Sequence, residues 1–437
     1  MPRQQPGVGV EDATRTSGAD PRARPDGEAP RLHRVVTLRW LVLYGLGSTV
    51  GAGIYVLTGV VAQRAGALAP LAFVLAGGLA AFTALSFAEL SSRHPRAGGA
   101  LVYVREGLGS RPLSVAVGLG SALAGIVSAA TVSVGFAAYF GELVPQTSGF
   151  VVPLVVLAVG SLAAWGIRES VAAAGLVTLV EIGGLVAVLV LGSWHLAGAS
   201  SPELAERAPS VGLAASAWPI LTSTVVCFFA FLGFEDMVNV AEEVRDARRV
   251  MPRAILLTLV ISTGLYVAVS LVAVLVVPPG ELGRSEAPLS LVFARAGGPP
   301  SLLSTIALVA MLNGALVQIV MASRILYSLG SDGPLPAWLG RVHPRTRTPL
   351  VATGIVAGGV AMLAMAFPVD RLAAATASIA LAVFVLVNAA LARIRWRERR
   401  AGPRPSPGMP IFVPILGMVA SAAFLLVELV GGLLASD

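Results

Sequence analysis

Gly45, Gly47, Gly51 and Gly53 interrupt an apolar stretch about as long as a membrane helix, GLGSTVGAGIYVLTG at residues 45–59. A glycine inside a helix weakens it by about 1 kcal/mol relative to alanine. A membrane helix that is interrupted exposes backbone amide and carbonyl groups, and these can bind a buried ligand. Gly51 and Gly53 therefore predict a broken helix with a ligand site at the break.

Two other interpretations of these glycines are considered. A dinucleotide-binding loop is excluded because Val50 stands where its fingerprint needs a third glycine, and because the stretch is not flanked by a strand and a helix. The Gly47–Gly51 spacing also fits a small-xxx-small pattern, which allows two membrane helices to approach closely. This second interpretation stays open beside the broken helix.

A second interruption lies in TVVCFFAFLGFEDMVNVAEEV, residues 224–244, where Gly233 is followed by Glu235, Asp236 and Asn239. A carboxylate near the middle of a bilayer costs about 2.5–3.5 kcal/mol, so we expect these side chains to face a cavity and not lipid. Two interrupted helices in matching positions are typical of transporters built from inverted repeats.

The chemistry of two such breaks selects a ligand. The half-helix after the first break directs its amides and the positive end of its dipole toward an anion such as a carboxylate. Free carbonyls where a half-helix ends attract a cation such as an ammonium group. An α-amino acid carries both groups, whereas a polyamine would use only the carbonyls.

The composition indicates an all-α integral membrane protein, since 56% of the 437 residues are hydrophobic, 13% are charged and the mean hydropathy is +0.81. Long apolar runs without strand-like alternation predict helical spans. We predict eleven spans, at 40–63, 67–90, 113–143, 150–167, 172–193, 215–240, 252–278, 300–329, 349–367, 371–392 and 410–434.

All 31 basic residues are arginine. If the N-terminus is cytoplasmic, eighteen arginines lie in cytoplasmic loops and five outside, which satisfies the positive-inside rule and places the C-terminus outside. The arginines therefore indicate orientation in the plasma (inner) membrane and not nucleic-acid binding. Residues 1–35 read as a disordered cytoplasmic tail.

Four stretches resemble, in order, the signature regions of the amino acid–polyamine–organocation superfamily. They are GLGSTVGAGIYVLTG, FAELSSRHPRAGGALVYVREGLG, FFAFLGFEDMVNVAEEVRDARRVMPRAI and MASRILYSLGSDGPLP, and the resemblance extends from about residue 36 to 434. It implies two inverted five-helix repeats, at 36–193 and 215–392, with broken first and sixth helices. An external loop at 194–214, a basic cytoplasmic loop at 393–409 and an additional span at 410–437 complete the predicted organisation.

The resemblance also implies a site. Backbone amides of Gly51, Ala52 and Gly53 would bind the substrate carboxylate, and carbonyls of Thr49, Phe229 and Leu232 would bind its amine. The implied substrate-binding set is Thr49, Gly51, Ala52, Gly53, Phe229, Ala230 and Leu232. Phe229 matches the aromatic gate of relatives, with ordinary helix packing as the alternative.

Glu181, in the otherwise apolar fifth span, and Glu235 are the candidates for proton coupling. Several proton-coupled relatives place a lysine at the position of Glu181, a device that this chain cannot use. A buried carboxyl group can instead take up and release a proton. Sodium is disfavoured because the middle of the eighth span, IALVAMLNGALVQIVMA, contains no serine or threonine, although Asn313 and Glu181 leave it open.

The sequence thus predicts a secondary active transporter of amino acids, coupled to protons, that works by alternating access. An exchanger of an amino acid against an amine or polyamine uses the same site and stays open. A membrane-embedded enzyme is disfavoured because no reactive constellation is found. No metal, cofactor or nucleic acid is expected, since Cys227 and four scattered histidines form no ligand pattern.

Overall fold

The computed structural model describes residues 36–95, 99–145, 148–165, 171–198, 217–331, 333–401 and 408–434. The helices are α1 (Leu38–Thr49), α2 (Ala52–Ala65), α3 (Ala69–Arg93), α4 (Gly99–Leu108), α5 (Arg111–Leu143), α6 (Ser148–Trp165), α7 (Val171–Ala197), α8 (Ala217–Phe229), α9 (Ala247–Val276), α10 (Pro279–Leu282), α11 (Pro288–Arg295), α12 (Pro300–Ser331), α13 (Leu350–Ala366), α14 (Val369–Ala401) and α15 (Phe412–Leu434). Two 3₁₀ helices, Gly66–Leu68 and Phe234–Glu243, complete the described secondary structure.

The all-helical membrane architecture is confirmed. Within the described ranges, eight stretches are long and apolar enough to cross a membrane, and α6 and α13 contain two shorter apolar helices. One of the eight, Ala52–Arg93, holds both the second half of the first span and the whole second span, so the predicted total of eleven is met. The first and sixth spans are broken, between α1 and α2 and between α8 and the 3₁₀ helix.

The helices pack in pairs that match across the two halves. The second span, α3, packs against the seventh, α9, and the third span, α5, packs against the eighth, α12. Glycines permit close approach inside these pairs, since a Cβ on Gly77 of α3 would lie 2.7 Å from the Thr263 hydroxyl of α9. The broken helices lie against these pairs, because α1 contacts α9 and α8 contacts α3.

One end of the bundle carries Arg93, Arg105, Arg395 and Arg397 and is called here the arginine-rich side. On this side, a short parallel bridge joins the start of α1 to the end of the 3₁₀ helix. The Val36 amide donates to the Glu243 carbonyl at 3.0 Å, and the Arg245 amide donates to the Val36 carbonyl at 3.0 Å. The two half-helices on the arginine-rich side are therefore tied together by backbone hydrogen bonds.

Helix α14 is longer than its predicted span, which ended at residue 392, so the first half of the predicted loop 393–409 is helical to Ala401. Ion pairs stabilise the extension, since Arg395 pairs with Glu89 at 2.7 Å and with Glu398 at 3.0 Å. Likewise α7 continues to Ala197, into the predicted external loop 194–214. The rest of that loop and the N-terminal tail lie outside the described residues.

Glu89 of α3 binds α14 and the segment before α15 on the arginine-rich side, so Glu89→Gln is expected to destabilise the fold. Its carboxylate pairs with Arg93 at 2.8 Å and Arg395 at 2.7 Å and accepts the Met409 amide at 2.7 Å. Removing one charge from a buried network costs about 3–5 kcal/mol, because the partner charges stay buried. Thermal unfolding in detergent should begin several degrees lower. The exposed Glu106, changed to Gln, is the control, and an equal shift in both variants would contradict this role.

Candidate functional site

The first break leaves the start of α2 without a side-chain cap. Helix α1 ends at Thr49 and α2 begins at Ala52, with Gly51 in the capping position and no side chain bonded to the helix amides. The first amides of a helix have no partner inside the helix, so they can receive a ligand. The helix dipole would stabilise a negatively charged group of a ligand at this position.

The second break depends on a glycine conformation. Helix α8 ends at Phe229, and Gly233 then takes φ 125°, a region that side chains disfavour. The Gly233 amide donates to Oε2 of Glu235 at 2.9 Å, and the Gly233 carbonyl accepts the Ser48 hydroxyl at 3.0 Å. Glu235 and Ser48 therefore satisfy backbone groups that the interrupted helix leaves open.

The two breaks touch each other. A Cβ added to Gly53 would lie 2.6 Å from the Ala230 Cα, and one added to Gly233 would lie 2.9 Å from the Thr49 amide nitrogen. The Tyr266 hydroxyl of α9 lies 2.6 Å from the Thr49 carbonyl and 2.9 Å from the Ala230 carbonyl. One side chain thus bridges the first and the sixth span at their breaks.

A small cavity of about 40 Å³ lies between the breaks. Its walls come from both broken helices, from α5 and from α12, and consist of Gly47, Ser48, Thr49, Gly51, Ala52, Gly53, Ser128, Val132, Phe229, Leu232, Gly314, Val317 and Gln318. The Thr49 hydroxyl, in a residue only 3% exposed, has no hydrogen-bond partner among the described residues. The cavity walls therefore bring backbone segments of both breaks to one place.

A larger cavity of about 360 Å³ continues toward the arginine-rich side. It shares Ser128, Leu232 and Gln318 with the small cavity and reaches the exposed Arg324 and Ser328 on α12. Glu235, Asp236 and Asn239 line it from the 3₁₀ helix. The larger cavity thus adjoins the site between the breaks at these three shared residues and opens toward the arginine-rich side.

Glu181 lies behind the site and not in it. The residue is fully buried in α7, and its carboxyl group is within electrostatic reach of the Tyr55 and Tyr266 hydroxyls. The Tyr55 hydroxyl donates to the Glu181 carbonyl at 2.8 Å, and the Tyr139 hydroxyl donates to the Tyr55 carbonyl at 2.8 Å. Tyr266 thus interacts electrostatically with this carboxyl group and forms hydrogen bonds at both breaks.

The structure gathers most of the residues expected at the site. Thr49, Gly51, Ala52, Gly53, Phe229 and Leu232 line the small cavity, while Ala230 packs against Gly53 beside it. The Thr49 carbonyl accepts Tyr266 and the Phe229 carbonyl accepts the Leu232 amide at 3.1 Å. A carbonyl oxygen has two lone pairs, so each can accept one further hydrogen bond from a ligand.

Tyr266, Ser48 and Gln318 were not predicted from the sequence. Tyr266 and Gln318 each lie inside a mainly apolar span, and a polar group there needs a partner inside the protein. That signal marks both residues as candidates without saying which partner they meet. Ser48 carries no such signal, because serine is common in membrane helices.

Metal ligation finds no support in the described part of the chain, where no group of three or more His, Cys, Asp or Glu side chains converges. Cys227 is buried in α8, and its thiol is free. The arrangement offers binding groups and a path rather than a reactive centre.

Residues 36–432 match the family model described as amino acid permease. The branched-chain amino acid permease BcaP of Bacillus subtilis is 28% identical, over 85% of this chain and 83% of its own. The cationic amino acid transporter 3, mitochondrial, of Arabidopsis thaliana is 31% identical, over 84% of this chain and 63% of its own.

A solved structure shares the fold. MhsT, crystallised in complex with L-phenylalanine, superposes with a TM-score of 0.63 at 14% identity, over 92% of this chain and 99% of that chain. The relatives and the family are transporters and not enzymes. With two broken helices around a central cavity and a family match over nearly its whole length, the chain belongs to the amino acid permease family.

Proposed function

We propose that this protein is a secondary active transporter that carries amino acids across the plasma membrane by alternating access. The observation that carries the proposal is the pair of helix breaks that touch and line one small cavity. Uncapped amides at the start of α2 suit the substrate carboxylate, and the carbonyls of Thr49, Phe229 and Leu232 suit its ammonium group. The family and its transporters support the same substrate class.

The positive-inside rule makes the arginine-rich side cytoplasmic. The larger cavity, which adjoins the small one, then opens toward the cytoplasm, and we interpret the structure as an inward-facing state. On the opposite side, Arg64 at the end of α2 pairs with Asp370 at the start of α14 at 2.9 Å. This ion pair joins the outer ends of a broken helix and a wall helix, as a closed external path requires. Phe229, which lines the small cavity, would act as the gate above the substrate.

Protons are the proposed driving ion, with Glu181 and Glu235 as the coupling groups. Glu181 is fully buried behind the first break, and Glu235 lines the cavity beside the second break and accepts the Gly233 amide. When either carboxyl group gains a proton, the charge next to a break changes, and no sodium ion is needed for this change. The charge of each group can therefore bias which side of the site is open.

Uptake into proteoliposomes tests the proposal. Labelled amino acids would be offered to the purified protein under an imposed pH gradient, an imposed sodium gradient, or neither. Accumulation driven by the pH gradient alone is expected. Accumulation driven by sodium alone would overturn the coupling ion, and exchange only against a preloaded lumen would make the protein an antiporter. Absence of both uptake and exchange for every amino acid would contradict the function itself.

Glu181→Gln is expected to abolish accumulation driven by the pH gradient while exchange of internal for external amino acid continues. The amide keeps the size of the side chain but cannot gain or lose a proton in this range. Uptake at several external pH values, beside counterflow in the same vesicles, separates coupling from binding. Glu142→Gln, an exposed carboxylate on α5, is the matched control. Unchanged proton dependence in Glu181→Gln would remove this residue from the coupling mechanism.

A further inference from the structure

We propose that the substrate carries a positive charge on its side chain, and that Asp236, together with Glu235, binds that ammonium or guanidinium group in the larger cavity. The inference rests on the proposed function and names the substrate class of the same site. The α-amino and α-carboxylate groups would lie at the breaks in the small cavity. The side chain would point from there into the larger cavity, toward the arginine-rich side.

The first step is the proximity of the two cavities. Ser128, Leu232 and Gln318 belong to the walls of both, so the side chain of a ligand held at the breaks would enter the larger cavity past these three residues. The small cavity, at about 40 Å³, holds little beyond the groups that contact the breaks, while the larger one offers about 360 Å³. A long side chain is accommodated only by entering the larger cavity.

The second step is the charge of that cavity. Two carboxylates, Glu235 and Asp236, stand in its wall, and among the described lining residues the only basic one is Arg324, which is exposed on α12. Asp236 is only 5% exposed, and its Oδ2 accepts the Gln318 amide at 3.3 Å. A neutral amide orients a carboxylate but does not balance its charge. A buried carboxyl group keeps its negative charge at low cost only when a cation pairs with it, so a cationic ligand would stabilise the charged form of Asp236.

The third step is reach. Asp236 follows Gly233 by one turn of 3₁₀ helix, a rise of about 6 Å. The four-carbon stem of lysine, or the stem of arginine, covers a comparable distance from its α-carbon. A substrate anchored at the second break can therefore place its distal charge beside Asp236 without leaving the breaks.

A further observation concerns the small cavity, where the α-amino and α-carboxylate groups of the substrate would lie. The Thr49 hydroxyl is buried in the wall of the small cavity and has no hydrogen-bond partner among the described residues. Buried hydroxyl groups in proteins nearly always have a partner. A substrate amino or carboxylate group between the breaks would supply it.

Two pairs of amino acids of nearly equal shape test the charge directly. Lysine and norleucine differ at the distal ammonium group, and arginine and citrulline differ at the guanidinium group. With the wild-type protein in proteoliposomes, lysine and arginine are expected to bind and exchange about 10- to 100-fold more strongly than their neutral counterparts, which is the effect of a charge-assisted hydrogen bond. Equal or stronger exchange of norleucine and citrulline would overturn the inference and leave the proposed function standing. No exchange of any amino acid would overturn both.

Asp236→Asn tests the residue. Lysine exchange should weaken about 10- to 100-fold while norleucine exchange stays the same, and Asp236→Glu should keep the preference for lysine. Asp246→Asn is the matched control, because Asp246 lies on the same side of the bundle outside both cavity walls, at φ 49°, which asparagine tolerates. An equal loss for lysine and norleucine in Asp236→Asn would assign the residue to structure and contradict its role in selecting charge.

Discussion

Gly233→Ala is expected to reduce amino acid uptake at least about 10-fold, because alanine at this position meets both a backbone conflict and a steric one. The backbone angle φ of 125° lies where a Cβ is strained by about 1–3 kcal/mol. The added Cβ would also meet the Ser48 carbonyl and would lie 2.9 Å from the Thr49 amide nitrogen. Both contacts belong to the first break, so relieving them must push the two breaks apart.

The control for this substitution is Gly264→Ala in α9, where an added Cβ meets nothing within 4 Å. Alanine there should leave uptake unchanged and favour the helix slightly. Size-exclusion behaviour and thermal unfolding of both variants separate a damaged site from an unfolded protein. If Gly233→Ala were to transport as Gly264→Ala does, the close approach of the breaks would not matter for transport.

The breaks could be predicted from the sequence because glycine and charge are local signals. Three glycines lie in apolar spans, where glycine lowers the stability of the helix: Gly51, Gly53 and Gly233. Two carboxylates, Glu235 and Asp236, lie where a charge is costly to place in the membrane. A feature that costs stability in the span itself must be compensated by a partner elsewhere. That reasoning finds the two spans and their matching positions, which the fold confirms.

The contacts across the breaks could not be predicted, because they join residues far apart in the chain. Tyr266 lies 217 positions from Thr49, and Gln318 lies 82 positions from Asp236. Neither spacing leaves a periodic pattern in the sequence. The sequence also could not predict that Phe234–Glu243 forms a 3₁₀ helix, since its apolar and polar residues fit an α-helix equally well. This segment packs against α1, α3, α4 and α9, and such long-range contacts are not visible in the sequence.

The bridge between Val36 and Val244 couples the movements of the two half-helices on the arginine-rich side. It ties α1 to the 3₁₀ helix on the arginine-rich side, so both half-helices below the breaks are joined at their far ends as well as at Gly233. A movement of one half-helix is therefore passed to the other. The proposed alternating-access mechanism needs such joint movement, because both breaks would hold the substrate at once.

Tyr266→Phe is the second substitution with a large expected effect. The Tyr266 hydroxyl carries one proton and lies within hydrogen-bond distance of two carbonyl oxygens, that of Thr49 at 2.6 Å and that of Ala230 at 2.9 Å. It therefore joins the breaks of the first and sixth spans. Phenylalanine keeps the ring contacts with Phe73 and Phe231, at centroid distances of 5.9 Å and 5.1 Å. Only the hydrogen bond is lost, and a buried carbonyl left without a donor costs about 1–3 kcal/mol.

Uptake by Tyr266→Phe should fall about 10- to 100-fold, which corresponds to that cost, with a change in KM because the freed carbonyls lie at the proposed substrate site. Tyr103→Phe is the matched control: Tyr103 is equally buried and contacts Phe87 with its ring, but its hydroxyl has no hydrogen-bond partner in the part of the chain that the structure describes. Removing that hydroxyl breaks no contact, so uptake and KM should stay at the wild-type values. If the two variants were to behave alike, the hydrogen bonds of the Tyr266 hydroxyl would not matter for transport. The contacts of Ser48 and of the glycines would then be sufficient to hold the two breaks together.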